Sequence, residues 1–279
     1  MSNLRIIDSS LSDSATLADG NSNISASMPV TNLQNSLKEY SCRTTNLSDM
    51  IINVDFAADQ VISAVHLGRT NFTSAATWRI QCYDAASQAG TVVYDSTATE
   101  FIVPLTFGEL DWGVDALGAS AMEDWAQRFA THWFPSVAVR SMKITISDGA
   151  NGDGYLQAGR LFIGRYFSPS VNCDWGGALR WVDASEQYRT AGGSLRTENK
   201  YTYREIDVQL SWLDDGEATK LLDMQKGNGK RSDYFFSLFP DGSGQRKLHH
   251  EFIAKMQDTG PMGLRFVNYS TNSIRFVES

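Results

Sequence analysis

The sequence predicts a mainly β protein: an N-terminal β-sandwich jelly roll with one inserted helix, followed by a second antiparallel β-domain with one short helix. Three observations carry this expectation. Over residues 50–83 apolar and polar positions alternate: Ile52, Val54 and Phe56 stand against Ile51, Asn53 and Asp55, and Trp78, Ile80 and Cys82 against Arg79 and Gln81. A period of two marks strands with one buried face. Short β-type runs then recur up to about residue 167, separated by turn-forming residues, as in sandwiches and jelly rolls. The apolar fraction of 42% and aromatic fraction of 11% suit a chain that buries a core.

A chain of 279 residues has room for two domains. They are placed at 29–167 and 168–279, after an N-terminal extension, 1–28. The extension is rich in Ser, Asn and Asp around a small cluster of Leu4, Ile6 and Ile7, and alone it is expected to be mobile.

In the first domain, strands are expected at 50–56, 61–67, 77–83 and 92–94. Another is expected at 101–104, ended by Pro104, which donates nothing to a ladder. A loop carrying Asp111 and Trp112 follows. Ser120 and Glu123 have capping-box spacing, and Met122, Trp125, Phe129 and Trp133 recur at helical intervals before Phe134-Pro135, so a helix is expected there, its aromatic face packed on a sheet. Met142, Ile144 and Ile146 alternate as a strand, and residues 155–164 read as two β pieces.

In the second domain the longest strand is expected at 201–212. Its buried face carries Arg204, Ile206, Val208, Leu210 and Trp212, with Arg204 near the exposed end. Asp214 or Asp215 caps a short helix bearing Leu221, Leu222 and Met224, which Gly227 ends. Strands near 179–182, 234–239, 250–256, 263–269 and 273–277 complete the domain.

The chemistry of the chain excludes more than it assigns. With Lys plus Arg at 24 and Asp plus Glu at 32, the net charge is −8 with no basic stripe, so nucleic acid is not an expected partner. No apolar run is long enough for a bilayer, and residues 1–10 lack a signal-peptide pattern, so the chain is expected to be made and kept in a cytoplasm. Cys42, Cys82 and Cys173 form neither a disulfide framework nor a zinc pattern, and Cys82 is expected as a buried thiol. His66 reads as a packing residue on a strand, His132 as a flanking residue, and His249-His250 as a solvated pair; HExxH is absent. Asp148, Asn151 and Asp153 in the loop 148–154 offer oxygen ligands for calcium, yet they depart from EF-hand spacing and are equally the residues of a tight turn. The stretch 227–232 fails as a phosphate loop, because Arg231 stands where Ser or Thr would bind magnesium. There is no GxSxG elbow, Ser-His-Asp set or paired carboxylate, so no catalytic residue, cofactor or metal site is assigned and the chain is expected not to be an enzyme. A polysaccharide hydrolase ranks third among the functional readings.

Asn32-Leu33 before Arg43, the strand pair 50–67, the turn 68–76 leading into Thr77-Trp78-Arg79-Ile80, the run 93–96 and the stretch 159–164 resemble a discoidin-like, galactose-binding-type jelly roll in the form found in tailed-phage and prophage proteins. Arg189-Thr190-Ala191-Gly192-Gly193, Tyr203-Arg204 with the strand 210–213, the helix 217–227 and the final strand pair are similar to the β-domain of distal tail or baseplate-hub proteins. The resemblance implies a structural virion protein of the tail tip, made in the cytoplasm of a bacterial host. Copies would assemble into a ring and act as an adaptor between tail tube, tape measure, hub or fibres. Discoidin-like domains bind sugars through variable loops, so the alternative is a carbohydrate-binding module contacting host surface glycans. Asp111 and Trp112 are then the candidate contacts, against the plainer use of a lone loop Trp as a buried anchor.

Overall fold

The computed structural model describes residues 3–101, 105, 107–114, 122, 125, 128–242, 244–266 and 269–279. Its strands begin with β1 (Arg5–Ile7), β2 (Thr16–Asp19), β3 (Cys42–Arg43), β4 (Met50–Thr70), β5 (Thr77–Tyr83), β6 (Val92–Asp95), β7 (Thr99–Glu100), β8 (Arg128–Ser147), β9 (Gln157–Ala158) and β10 (Arg160–Gly164). They continue with β11 (Ala178–Asp183), β12 (Glu186–Arg189), β13 (Leu195–Glu198) and β14 (Thr202–Leu213). Helix α1 (Asp215–Gly227), β15 (Asp233–Ser237), helix α2 (Gly244–His249), β16 (Glu251–Thr259), β17 (Gly263–Phe266) and β18 (Tyr269–Glu278) complete the order. The chain is mainly β, its strands paired antiparallel, as the alternation predicts. It divides into two compact units. The larger holds Ser9–Phe167 with Phe239–His249; the smaller holds Met1–Asp8, Ser168–Leu238 and His250–Ser279.

The larger unit is organised by β4 and β8, which pair along most of their length. The sheet runs β10-β4-β8-β5-β6, with β2 added to β4 and β7 to β5, and β3 pairs separately with β9. Met50, Ile52, Val54 and Phe56 of β4, Trp78, Ile80 and Cys82 of β5, and Met142, Ile144 and Ile146 of β8 meet in one core. The alternation in the sequence is therefore the inward face of these strands. The β4–β8 register slips between Asp55 and Gln60 and again between Ile62 and Ala64. Bulges of this kind bend a strand and let one pair of strands serve two parts of a sandwich. The two runs expected at 50–56 and 61–67 are thus one bent strand, the longest in the chain, where 201–212 was expected to be.

The inserted helix is the main correction. Its capping residues Ser120 and Glu123 lie outside the described residues, but Arg128–Ser147 is a strand, with Thr131 opposite His66 and Trp133 opposite Ala64. A spacing of four residues, as from Phe129 to Trp133, returns to the same face of a helix and equally of a strand, because four is even. Pro135 falls inside β8 at the slip between the pairs Ala64–Trp133 and Ile62–Val137, where its missing N–H leaves no ladder bond unmade. At 101–104, Phe101 follows the short β7 without being in a strand, and 102–104 lie outside the described residues. The segment 1–28, mobile only if alone, contributes β1 to the smaller unit and β2 to the larger. Its Ser12 hydroxyl donates to the Leu161 carbonyl at 2.8 Å, and Asp13 pairs with the buried Arg160 at 2.6 Å.

The smaller unit is a sheet of order β1-β15-β16-β18-β14-β11, with β17 beside β18. Asp214 is the α1 N-cap: its carboxylate accepts from the Glu217 N–H at 2.7 Å while the Glu217 side chain accepts from the Asp214 N–H, a capping box. Ala218, Leu221 and Met224 are buried and Leu222 is exposed. In β14, Ile206, Val208 and Leu210 are buried as expected, but a register slip between Leu210 and Leu213 turns Leu213 inward and leaves Trp212 exposed. Arg204 is buried rather than near an exposed end: it pairs with Glu278 and lies over the rings of Phe252 and Trp181. Beyond β11 and β14 the two chains continue as a ribbon. The Ala184 N–H donates to the Tyr201 carbonyl at 3.1 Å, and β12 pairs with β13. Every residue of β12 and β13 is exposed.

Candidate functional site

The loop 107–114 of the larger unit is short in local structure and rich in surface. Leu105 anchors its start against the core. Gly113, with φ at +89°, permits a turn in which the Val114 N–H donates to the Asp111 carbonyl at 3.0 Å. The turn sends three apolar side chains outward: Phe107 is 69% exposed, Trp112 67% and Val114 78%. The Phe107 and Trp112 rings meet edge to face with centroids 4.8 Å apart. Asp111, next to Trp112 in the sequence, is exposed. Trp112 is therefore not the buried anchor that a lone loop Trp usually is. The sequence marks Asp111 and Trp112 but misses Phe107, which follows no period and declares itself only through its contact with Trp112.

A segment from far along the chain holds this loop. Residues 239–249 belong to the larger unit, where Leu248 of α2 is fully buried in the core. The Gln245 N–H donates to Glu109 Oε1 at 3.0 Å, and the Arg246 guanidinium sits 3.8 Å from the Phe239 ring centroid. His249, expected as part of a solvated pair, is half-buried with its ring 5.6 Å from that of Trp125. The sequence shows no helical period across these few residues, so nothing in it announces α2.

The other candidates resolve into structural roles. Asp148 is buried; its carboxylate accepts from the Thr73 N–H at 2.8 Å, the Thr73 hydroxyl at 2.7 Å and the Asn151 amide at 3.3 Å. Asp153 accepts from the Asn71 amide at 2.9 Å. These oxygens face N–H and O–H donors, which suits a pinned turn and not a calcium shell. Among the described residues, no three or more His, Cys, Asp or Glu side chains converge as metal ligands. His66 is buried on β4 with Nδ1 2.8 Å from the Thr131 hydroxyl; burial, then Lys247, Arg160 and Arg69, push its pKa down to about 3. His132 Nε2 lies 2.7 Å from the Tyr94 hydroxyl, and burial lowers its pKa as well. Cys42 and Cys82 are buried thiols pushed up to about 12 by desolvation, which leaves them unreactive. In the smaller unit an open groove of about 610 Å³ is lined by the Asp207–Arg275 and Lys230–Asp258 ion pairs, charges that already neutralise each other. No helix among the described residues is long and apolar enough to cross a membrane.

No protein-family model matches the chain, and no curated protein sequence matches it. Solved structures do resemble it. Chitosan-binding module 1 of a chitosanase/glucanase from Paenibacillus sp. IK-5 is 14% identical with a TM-score of 0.35, over 55% of this chain and 97% of that one. The CBM32-1 module of a family 31 glycoside hydrolase from Clostridium perfringens is 12% identical with a TM-score of 0.37, over 56% and 97%. A GH29 fucosidase from Ruminococcus gnavus in complex with fucose is 12% identical with a TM-score of 0.38; the match covers 57% of this chain and only 27% of the enzyme. At such TM-scores these likenesses carry no argument about function.

Proposed function

We propose that this chain is a non-catalytic binding protein whose larger unit contacts carbohydrate through the loop 107–114. The carrying observation is the Phe107–Trp112 ring pair, held outward with Asp111 beside it. Two adjacent exposed aromatics leave apolar area in water at about 25 cal/mol per Å², a standing cost that a ligand relieves. A sugar fits this chemistry: its C–H face covers an aromatic ring while its hydroxyls donate to a carboxylate. The test is a glycan array with the native chain, Trp112→Ala and Phe107→Ala. Binding by the native chain that falls at least tenfold in Trp112→Ala is expected; absence of binding, or binding indifferent to both changes, removes the reading.

A second observation favours assembly. The β12–β13 ribbon leaves its sheet with every residue exposed, including Tyr188 and Leu195, and among the described residues β11 is the last strand in the order of its sheet. A two-stranded hairpin is marginal alone in water, and an open edge invites another strand. On this reading copies of the chain join through the arm into a closed ring, as an adaptor at a virion tail tip between tail tube and hub or fibres. Replacing 186–198 by a short turn is expected to convert an oligomer to a monomer in light scattering. A native chain that stays monomeric at high concentration would refute assembly through the arm.

A further inference from the structure

The loop that presents Trp112 is tied to a segment far along the chain. Among the described residues its internal backbone bond, from the Val114 N–H to the Asp111 carbonyl, closes a single turn, and Phe107, Trp112 and Val114 turn away from the core. Glu109 makes that tie: its carboxylate meets the start of α2 and accepts the Gln245 N–H at 3.0 Å. The approach is possible only because residue 244 is glycine. Its φ is +59°, a conformation other residues rarely adopt, and a Cβ there would overlap the Glu109 carboxylate. Helix α2 is fixed in turn by Leu248, fully buried in the core of the larger unit.

We infer that Glu109 and Gly244 form a latch that locks the aromatic loop onto the α2 segment, and that both are positioning residues for the surface carrying Phe107 and Trp112. The inference rests on the carbohydrate reading only for what the surface is used for. The latch itself is a property of the fold.

Amide exchange of the full chain, read by mass spectrometry, tests it without any ligand. In Glu109→Ala and in Gly244→Ala, the hydrogen-bonded amides of this contact, Val114 in the loop and Gln245 at the start of α2, are expected to exchange at least tenfold faster, while β4 and β8 keep native protection. At Val114 the double variant is expected to exchange no faster than Glu109→Ala alone, because the contact to the loop is already gone and the backbone strain of alanine at φ +59° falls on α2. Native exchange of the Val114 and Gln245 amides in both single variants overturns the latch. So does a loss of protection spread evenly over β4 and β8, which would make the two residues general stabilisers. A native chain that binds no glycan on the array, yet shows the expected exchange, refutes the carbohydrate reading and leaves the latch standing.

Discussion

His66 shows how a single buried group shapes the behaviour of the larger unit. Thr131 satisfies Nδ1, Phe129 packs its ring at 5.6 Å, and the cations Lys247, Arg160 and Arg69 bear on it together with burial. The folded pKa of about 3 lies below the ordinary 6.5, so between these values the unfolded chain binds a proton that the folded chain refuses. Stability is therefore level above pH 6.5 and falls as the pH drops through the window toward 3, by an amount on the order of a few kcal/mol. His66→Gln is expected to flatten that part of a urea-denaturation pH profile; an unchanged slope would assign the acid sensitivity to the carboxylates. At this scale the sequence is legible wherever a side chain has one use. The strand phase of His66 and Cys82 identifies both as packing residues. It is illegible for Trp112 and Arg204, because exposure of the first depends on a turn and burial of the second on Glu278, far along the chain.

Elements were legible where a period runs uninterrupted. The phases of β5, of the C-terminal half of β8 and of β14 up to Leu210 follow from alternation alone, and α1 from its capping box. Legibility ends at bulges. The slip after Leu210 shifts the phase that would have buried Trp212, and the exposed stretch after Phe56 makes one strand look like two. Both are decided by the partner strand, which no local pattern reports. The β12–β13 arm belongs to this scale too. Because it buries none of its own residues, its removal is expected to change the oligomeric state while leaving the stability of the monomer, measured by urea denaturation, within about 0.5 kcal/mol of native, the usual range for surface changes.

For the whole molecule the decisive fact is that neither unit is a continuous stretch of chain. Leu248 lies between two strands of the smaller unit in sequence, yet packs in the core of the larger. Leu248→Ala is expected to cost about 2–5 kcal/mol, as a core truncation does, and to raise amide exchange in β4 and β8 rather than in β15 and β16. Protection lost in β15 and β16 instead would contradict the placement. No reading of contiguous domains anticipates this, since a short apolar residue in an eleven-residue connection carries no mark of where it will go.

That placement also sets a timetable. A ribosome delivers β2 to β10 early, but the leucine that completes their core arrives only after β15 has been made, and β1 waits just as long for its partner strand. During translation the growing chain therefore holds two unfinished units, each dependent on residues not yet synthesised; the larger has all its residues once α2 is made, and the smaller only after β18 follows.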